Sequence, residues 1–281
     1  MPGGIRAFQI FYDDETKALL DPDFEPLDNS RNERPDWYEY WPIRAFLSNT
    51  RLDDSAYYGF LSPRFFEKTR LGGRKVMEFL QQADGADVVT FSPFPCHAAA
   101  FFNVFEQGEF FHRGLYDVAS EFFGEFGGGA NLDALVMHSG NTVYSNFFFA
   151  KARFWKSWKG ILDRLFELAE TRTSRLYIPM KEPLEYAKED GTTTVAQMKV
   201  FIMERAVSFL LAAGEEFAVR NYPPFELPMS PKFAGKRDVV VALDALKLAF
   251  CRTGDPSHLR RFREERKKVF AEIWPGLSLR L

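Results

Sequence analysis

Along the first 150 residues, short apolar runs alternate with segments whose apolar positions recur every three or four residues. "IRAFQIFY" (5–12) reads as a buried strand, and "DDETKALL" as a short helix with acids in its first turn, where the helix dipole favours them. "DPDFEPLDNSRNERPD", rich in Pro, Asp and Asn, reads as a loop. "WYEYWPIRAFLSN" predicts an aromatic helix with Pro42 near its start, and "AYYGFLS" the next strand. "SPRFFEKT" then opens a helix with Ser62 as N-cap and Pro63 in the first position. "GRKVMEFLQQA" is an amphipathic helix and "ADVVTFSPF" a strand. "AAAFFNVFEQGEFF" and "GLYDVASEFFGEF" read as helices, broken by "GGGAN" at 127–131. "ALVMHSG" and "TVYSNFFFAKARF" read as strands or as a strand-turn pair. Helices are expected in "ARFWKSWKGILDRLFELAETRT", "TTTVAQMKVFIMERAVSFLLAAG", "DVVVALDALKLAFCRTG" and "DPSHLRRFREERKKVFAEIW".

Strands alternating with helices predict an α/β sheet flanked by helices, followed by a helical C-terminal section. Residues 1–225 are expected to form the α/β domain, and 226–281 a helical extension packed on it. At 281 residues and 46% hydrophobic, the chain can bury a large core, and 31 phenylalanines make that core unusually aromatic. The net charge of -3 gives no global attraction to nucleic acid, so an anionic ligand must be met by local cations. Cys96 and Cys251 have no ligand-like neighbours, which speaks against a disulfide framework or a zinc site and fits a reducing cytoplasm. "MPGGIRAFQIFY" lacks the features of a signal peptide, and no apolar run reaches 18 residues, so a cytoplasmic protein is expected.

Four constellations are able to carry chemistry. In "YYGFLSPRFFEKT" a strand runs into a helix bearing Arg64 and Lys68 at i,i+4, an arrangement that suits an anion at a sheet edge; the alternative is a pair of solvated helix charges. In "FNVFEQGEFFHRG", Asn103, Glu106, Gln107, Glu109, His112 and Arg113 are interleaved with aromatics. A carboxylate held there would have a raised pKa, useful to a general base, unless the segment is simply an amphipathic helix. Asn146 is the one amide in the aromatic run "VYSNFFFAKARFW", followed by Lys151 and Arg153. Glu204 and Arg205 interrupt the apolar helix "MKVFIMERAVSFLL", either as a structural ion pair or as part of a site. "DPD" (21–23) has the Asp-x-Asp form but sits in a turn-rich loop, where an Asx turn accounts for it. No Gly-rich phosphate loop, GxGxxG or GxSxG is present.

Three of these segments, in this order, resemble motifs of the GT-A-like glycosyltransferases of bacterial capsule and lipopolysaccharide clusters. The family's aromatic helix before a "YxGxxxxRxF" strand is matched by "WYEYWPIRAFLSN" and "YYGFLSPRF". Its "N-x-F-x-x-K" strand entering a helix with a Leu/Phe-Glu run is matched by "SNFFFAKARFWKSWKGILDRLFELAE", and its "ER" helix by "FIMERAVSFLL". The resemblance covers about residues 40–220. It implies a Rossmann-like mixed sheet and transfer of a sugar from a nucleotide-sugar to a surface-polysaccharide or lipid-linked acceptor. Tyr12, Asp13, Asn29, Arg44, Arg64 and Lys68 would then bind the donor, with the dipole of the helix after Ser62 assisting. Glu106 or Glu109 would serve as base of an inverting transfer, and Asn146, His112, Glu204 and Arg205 would face the sugar or acceptor. The family's metal-binding Asp-x-Asp is missing, since "ADVVTFSPFP" stands at its place; a divalent cation (Mn²⁺ or Mg²⁺) has no assigned ligands, and the two cations would take its role. The competing readings are a non-catalytic binding or scaffold protein of polysaccharide assembly and a different α/β enzyme such as a nucleotide-dependent phosphoryl transferase, against which the lack of a phosphate loop counts. The basic and apolar residues of 258–274 suit a peripheral contact with an anionic membrane, or a docked helix with a solvated basic face.

Overall fold

The computed structural model describes residues 4–126, 131–187, 193–213 and 216–276. The strands are β1 (Ile5–Phe11), β2 (Glu25–Asp28), β3 (Tyr57–Leu61), β4 (Val88–Thr90), β5 (Phe148–Ala150), β6 (Pro183–Ala187), β7 (Thr193–Gln197) and β8 (Val219–Asn221). The helices of the first half are α1 (Asp14–Lys17), α2 (Tyr40–Asn49), α3 (Phe65–Thr69), α4 (Gly73–Gln81), α5 (Pro95–Ala100), α6 (Val104–Phe111) and α7 (Leu115–Phe123). The second half adds α8 (Ala152–Glu170), α9 (Tyr177–Lys181), α10 (Met198–Ala213), α11 (Arg237–Thr253) and α12 (Pro256–Ile273).

Six strands form one mixed sheet in the order β2-β1-β3-β5-β4-β8, flanked by helices, so the expected α/β class holds. β1 runs parallel to β2 and β3, β5 is antiparallel to both β3 and β4, and β8 is parallel to β4. β3 is buried along its whole length, as its unbroken apolar run requires of a strand covered on both faces. Gly59 lies opposite Phe149 in the β3–β5 pair, and a Cβ at this position would sit 2.3 Å from the Phe149 ring. Apolar side chains of β1, β3, α2, α8 and α10 fill one core, while β3, α4 and the other sheet face build a second around Phe65, Val76, Phe91 and Phe149.

Several local expectations are corrected. β2 arises inside the segment read as a loop; it is a four-residue edge strand, the one kind of strand that accommodates Pro26. The expected helix of residues 192–214 splits: its β-branched start is β7, which pairs with β6 as a hairpin, and α10 begins only at Met198. The chain is extended at Phe101 and Asn103, where Asn103 caps a new helix, α6, by accepting from the Phe105 and Glu106 amides. Of the two strand candidates between 134 and 154, only Phe148–Ala150 is a strand. Residues 127–130 of the expected Gly-rich break lie outside the described residues. Ser62 caps nothing with its side chain: α3 starts at Phe65 after Arg64 and is only five residues long. So short a helix has little summed dipole, and the expected dipole contribution is withdrawn.

The C-terminal helices pack on α5 through Phe101, Val240, Phe262, Phe270 and Trp274. Their buried charges are all engaged. Lys247 donates to the carbonyls of Ala98 and Phe101, Asp244 accepts from the Ser139 amide and hydroxyl, and Arg266 holds Glu106 at 2.8 Å. The apolar side of residues 258–274 therefore faces the protein itself, and outward bases such as Arg261 and Lys268 are paired with Glu264 and Glu265. Among the described residues no helix is long and apolar enough to cross a membrane.

Candidate functional site

The connection from β1 leads to β2 on one side, and the chain then returns past β1 to β3 on the other. At such a reversal the loops after the two strands part and leave a crevice outside their C-terminal ends. Tyr12 follows β1 and Arg64 follows β3, one on each side of it. Because β5 is antiparallel, its N-terminal approach, Ser145–Phe147, reaches the same edge.

The wall after β3 is cationic. Lys68 Nζ donates to Ser145 Oγ at 3.0 Å and lies 5.9 Å from the Phe147 ring centroid. Arg64 pairs with Glu67 through both carboxylate oxygens, on a partly exposed surface where a phosphate can compete for it. Ser145 (φ 59°) and Asn146 (φ 54°) are successive left-handed residues, each an unfavourable backbone state of about 1 kcal/mol or more for a non-glycine residue. Flanking hydrogen bonds hold this turn: the Tyr144 amide to Ser92 Oγ and the Val143 amide to Ser208 Oγ. Asn146 Oδ1 is buried and has no hydrogen-bond partner among the described residues.

The opposite wall is built by residues 37–40, the β6–β7 hairpin and α10. Trp37 and Tyr40 are fully buried and anchored on α8, Trp37 Nε1 to Glu170 and the Tyr40 hydroxyl to Leu162 O and Asp163. Between these anchors Tyr38 and Glu39 are turned outward, and Tyr38 adopts φ 46°, ψ -135°. The Tyr38 phenol lies within reach of the Tyr186 phenol, and both feel the charges of Glu39 and Glu204. Tyr12 feels the charges of Glu39 on one wall and Arg64 on the other. Burial raises the Tyr12 and Tyr38 phenols and pushes Tyr186 up to about 12, so all three are neutral donors at pH 7.

Glu204 is the central carboxyl. It forms no hydrogen bond or ion pair among the described residues, and desolvation raises its pKa against the opposing pull of Lys68 and Arg205. Arg205 is not its ion-pair partner. The guanidinium binds Val104 O at 2.9 Å, Phe201 O at 2.6 Å and Gln107 Oε1 at 2.9 Å, tying α10 to α6 from behind. Gly108 permits that approach, since a Cβ there would lie 2.6 Å from the guanidinium. His112 packs against Phe201 with ring centroids 3.9 Å apart and planes tilted by 34°, and burial lowers its pKa to about 3, so it is a neutral packing group behind Tyr186.

Of the sequence-predicted residues, the fold thus brings together Tyr12, Arg64, Lys68, Asn146 and Glu204, with His112 and Arg205 as support. The others stand elsewhere. Glu106 is clamped by Arg266 and accepts from the Phe102 amide at 2.5 Å, and Glu109 accepts from the Gly114 and Tyr116 amides at the start of α7. Engaged in this way, neither is placed as a general base. Arg44 pairs with Asp163 at 2.8 Å on α8, and Asp13 caps α1. Asn29 lines a separate groove of about 520 Å³ with Leu27, Arg31, Trp41 and Phe46. Asp21 closes an Asx turn on Asp23 and binds the Gly73 amide at the start of α4. Among the described residues no group of three or more His, Cys, Asp and Glu side chains is arranged to hold a metal. Sequence reasoning missed Tyr38, Glu39, Ser145 and Tyr186; the "WYEY" spacing, with alternate aromatics buried, was the one available signal for the first two.

No family model, curated protein or solved structure matches this chain.

Proposed function

We propose that the chain is a glycosyltransferase of GT-A-like type that uses a nucleotide-sugar donor, with its site in the crevice between β1 and β3. The carrying observation is the opposition of Arg64 and Lys68 on one wall to the unpartnered, desolvated carboxyl of Glu204 on the other. Transfer of a sugar needs both functions: cations to stabilise the departing diphosphate and a base to accept the acceptor proton. In this reading the diphosphate replaces Glu67 on Arg64 and is shared with Lys68. An acceptor hydroxyl attacks the anomeric carbon as the bond from that carbon to the diphosphate oxygen breaks. The bond's electron pair leaves with the diphosphate, and the hydroxyl proton goes to Glu204. Glu204 takes the base role expected of Glu106 or Glu109, while Asn146 Oδ1 is a free acceptor for a sugar hydroxyl. The acceptor class, a surface polysaccharide or lipid-linked glycan, rests on the sequence resemblance.

The test is thermal unfolding of the full chain with UDP, GDP, dTDP, ADP and their sugar conjugates, with and without Mn²⁺. Binding at 100 times Kd stabilises by about 2.7 kcal/mol, so at least one nucleotide is expected to raise Tm by several degrees. Lys68→Met and Arg64→Ala should each weaken that nucleotide by about tenfold or more. If no nucleotide stabilises the wild type, or both variants bind it unchanged, the donor assignment fails.

A further inference from the structure

The crevice is asymmetric in charge. Its β3 wall presents Arg64 and Lys68, whereas the facing wall presents Glu39 and Glu204 together with the phenols of Tyr38 and Tyr186. Neither Glu39 nor Glu204 makes an ion pair or side-chain hydrogen bond among the described residues, and both are half-buried. Asn146 Oδ1 is a third acceptor there without a donor. One buried acceptor without a donor, beside two carboxylates that bond none of the described residues, calls for a ligand rich in O–H donors. Tyr38 adds a half-exposed ring, 38% accessible, held outward by buried neighbours on both sides. Such a ring offers a flat apolar surface with a polar tip.

We propose that Tyr38, Glu39 and Tyr186, with Glu204, form an acceptor subsite selective for an uncharged sugar ring. Hydroxyls of the ring donate to Glu39, Glu204 and Asn146 Oδ1. Its C–H face lies on Tyr38, and Tyr186 closes the far side from the hairpin. A phosphate or uronate on the same ring would meet two carboxylates at close range and be rejected, so selectivity comes from repulsion as much as from fit. Lys68, whose charge Glu204 also feels, stands where the phosphate-binding and sugar-binding halves of the crevice meet, with the donor diphosphate on its Arg64 side and the sugar hydroxyls on the carboxylate side.

The inference rests on the transferase reading above, and the experiment separates their failures. Saturation-transfer NMR and titration calorimetry on the full chain would compare methyl gluco-, galacto- and mannopyranosides with hexose 6-phosphates and methyl glucuronide. Titrations are run with and without the best-binding nucleoside diphosphate. At least one neutral glycoside should bind about tenfold or more tightly than its charged counterparts. Glu39→Gln should reduce that discrimination to about threefold or less, and Tyr38→Ala should weaken the neutral glycoside about fivefold or more. Tyr186→Phe is the milder check that Tyr38→Ala acts through contact rather than misfolding, with lost affinity expected at unchanged Tm. Equal or tighter binding of the charged sugars, or no binding of any neutral glycoside, overturns the subsite. Glycoside selectivity without stabilisation by any nucleotide would instead remove the donor reading and leave a carbohydrate site.

Discussion

Gly59 and Glu204 show how single positions serve opposite ends. Gly59 has no side chain because the Phe149 ring occupies its Cβ position across the β3–β5 pair. Gly59→Ala must displace that ring inside a packed core and should cost about 1–3 kcal/mol, measurable by urea unfolding. Glu204 carries a destabilising charge. Its folded pKa is raised by desolvation, so the folded state holds the proton more tightly than the unfolded chain. As pH rises from the unfolded carboxyl value of about 4.3 through the raised folded value, stability falls and stays lower. Glu204→Gln should therefore raise Tm at pH 8, with the gain vanishing near pH 4, while transfer drops by about 10²–10⁴-fold. A variant equally unstable at both pH values would show that the carboxyl is not desolvated. With Glu204 as base of the proposed transfer, the same raised pKa should move the acid limb of the rate profile above the ordinary carboxylate range, read from kcat/KM against pH.

The segment 37–40 illustrates how elements borrow their geometry from one another. Its strained Tyr38 is held by the network beneath it, in which buried Lys199 bonds Asp36 at 2.5 Å and Glu170 at 3.3 Å, and Arg34 joins both acids. Arg34 and Lys199 keep the Asp36 carboxyl at about 2, so this support persists until strong acid. Lys199→Met should destabilise by about 2–4 kcal/mol, toward the low side for a broken buried pair because Asp36 and Glu170 keep partial exposure. It should also weaken neutral glycosides without altering nucleotide affinity, read in the same titrations. Long periodic helices such as α8 and α11 were legible in the chain, as were β1 and β3 with their continuous apolar runs. β2 and β7 were not. One carries Pro26, tolerated only because it ends at a sheet edge, and the other depends on its hairpin partner β6.

Glu106 tests the assembly of the chain as a unit. Its bond to Arg266 joins α6 to the C-terminal helix α12, with Arg266 2% and Glu106 13% accessible. Glu106→Ala should lower stability by about 3–5 kcal/mol yet leave nucleotide affinity unchanged once the folded fraction is accounted for. A specific loss of turnover at full stability would return Glu106 to the site. Deleting residues 256–276 would uncover Phe101 and Val240 and remove the ion-pair partner of Glu106. The expected outcome is insolubility or a Tm lower by many degrees, not a clean release from membranes. By itself the sequence determined the α/β class, the apolar strands, the main helices and the polar interruptions Arg64, Lys68, Asn146 and Glu204, because periodicity and isolated polar residues are local properties. Only the tertiary structure decided which of these meet. Glu106, Glu109 and Arg44 look as reactive as Glu204 in sequence, but Glu106 and Arg44 have distant partners in Arg266 and Asp163, and Glu109 accepts from the nearby Gly114 and Tyr116 amides. Tyr38, Glu39 and Tyr186 became part of the candidate site because the crossover at β1 and the β6–β7 hairpin carry them to one edge, and no spacing along the chain records that reach.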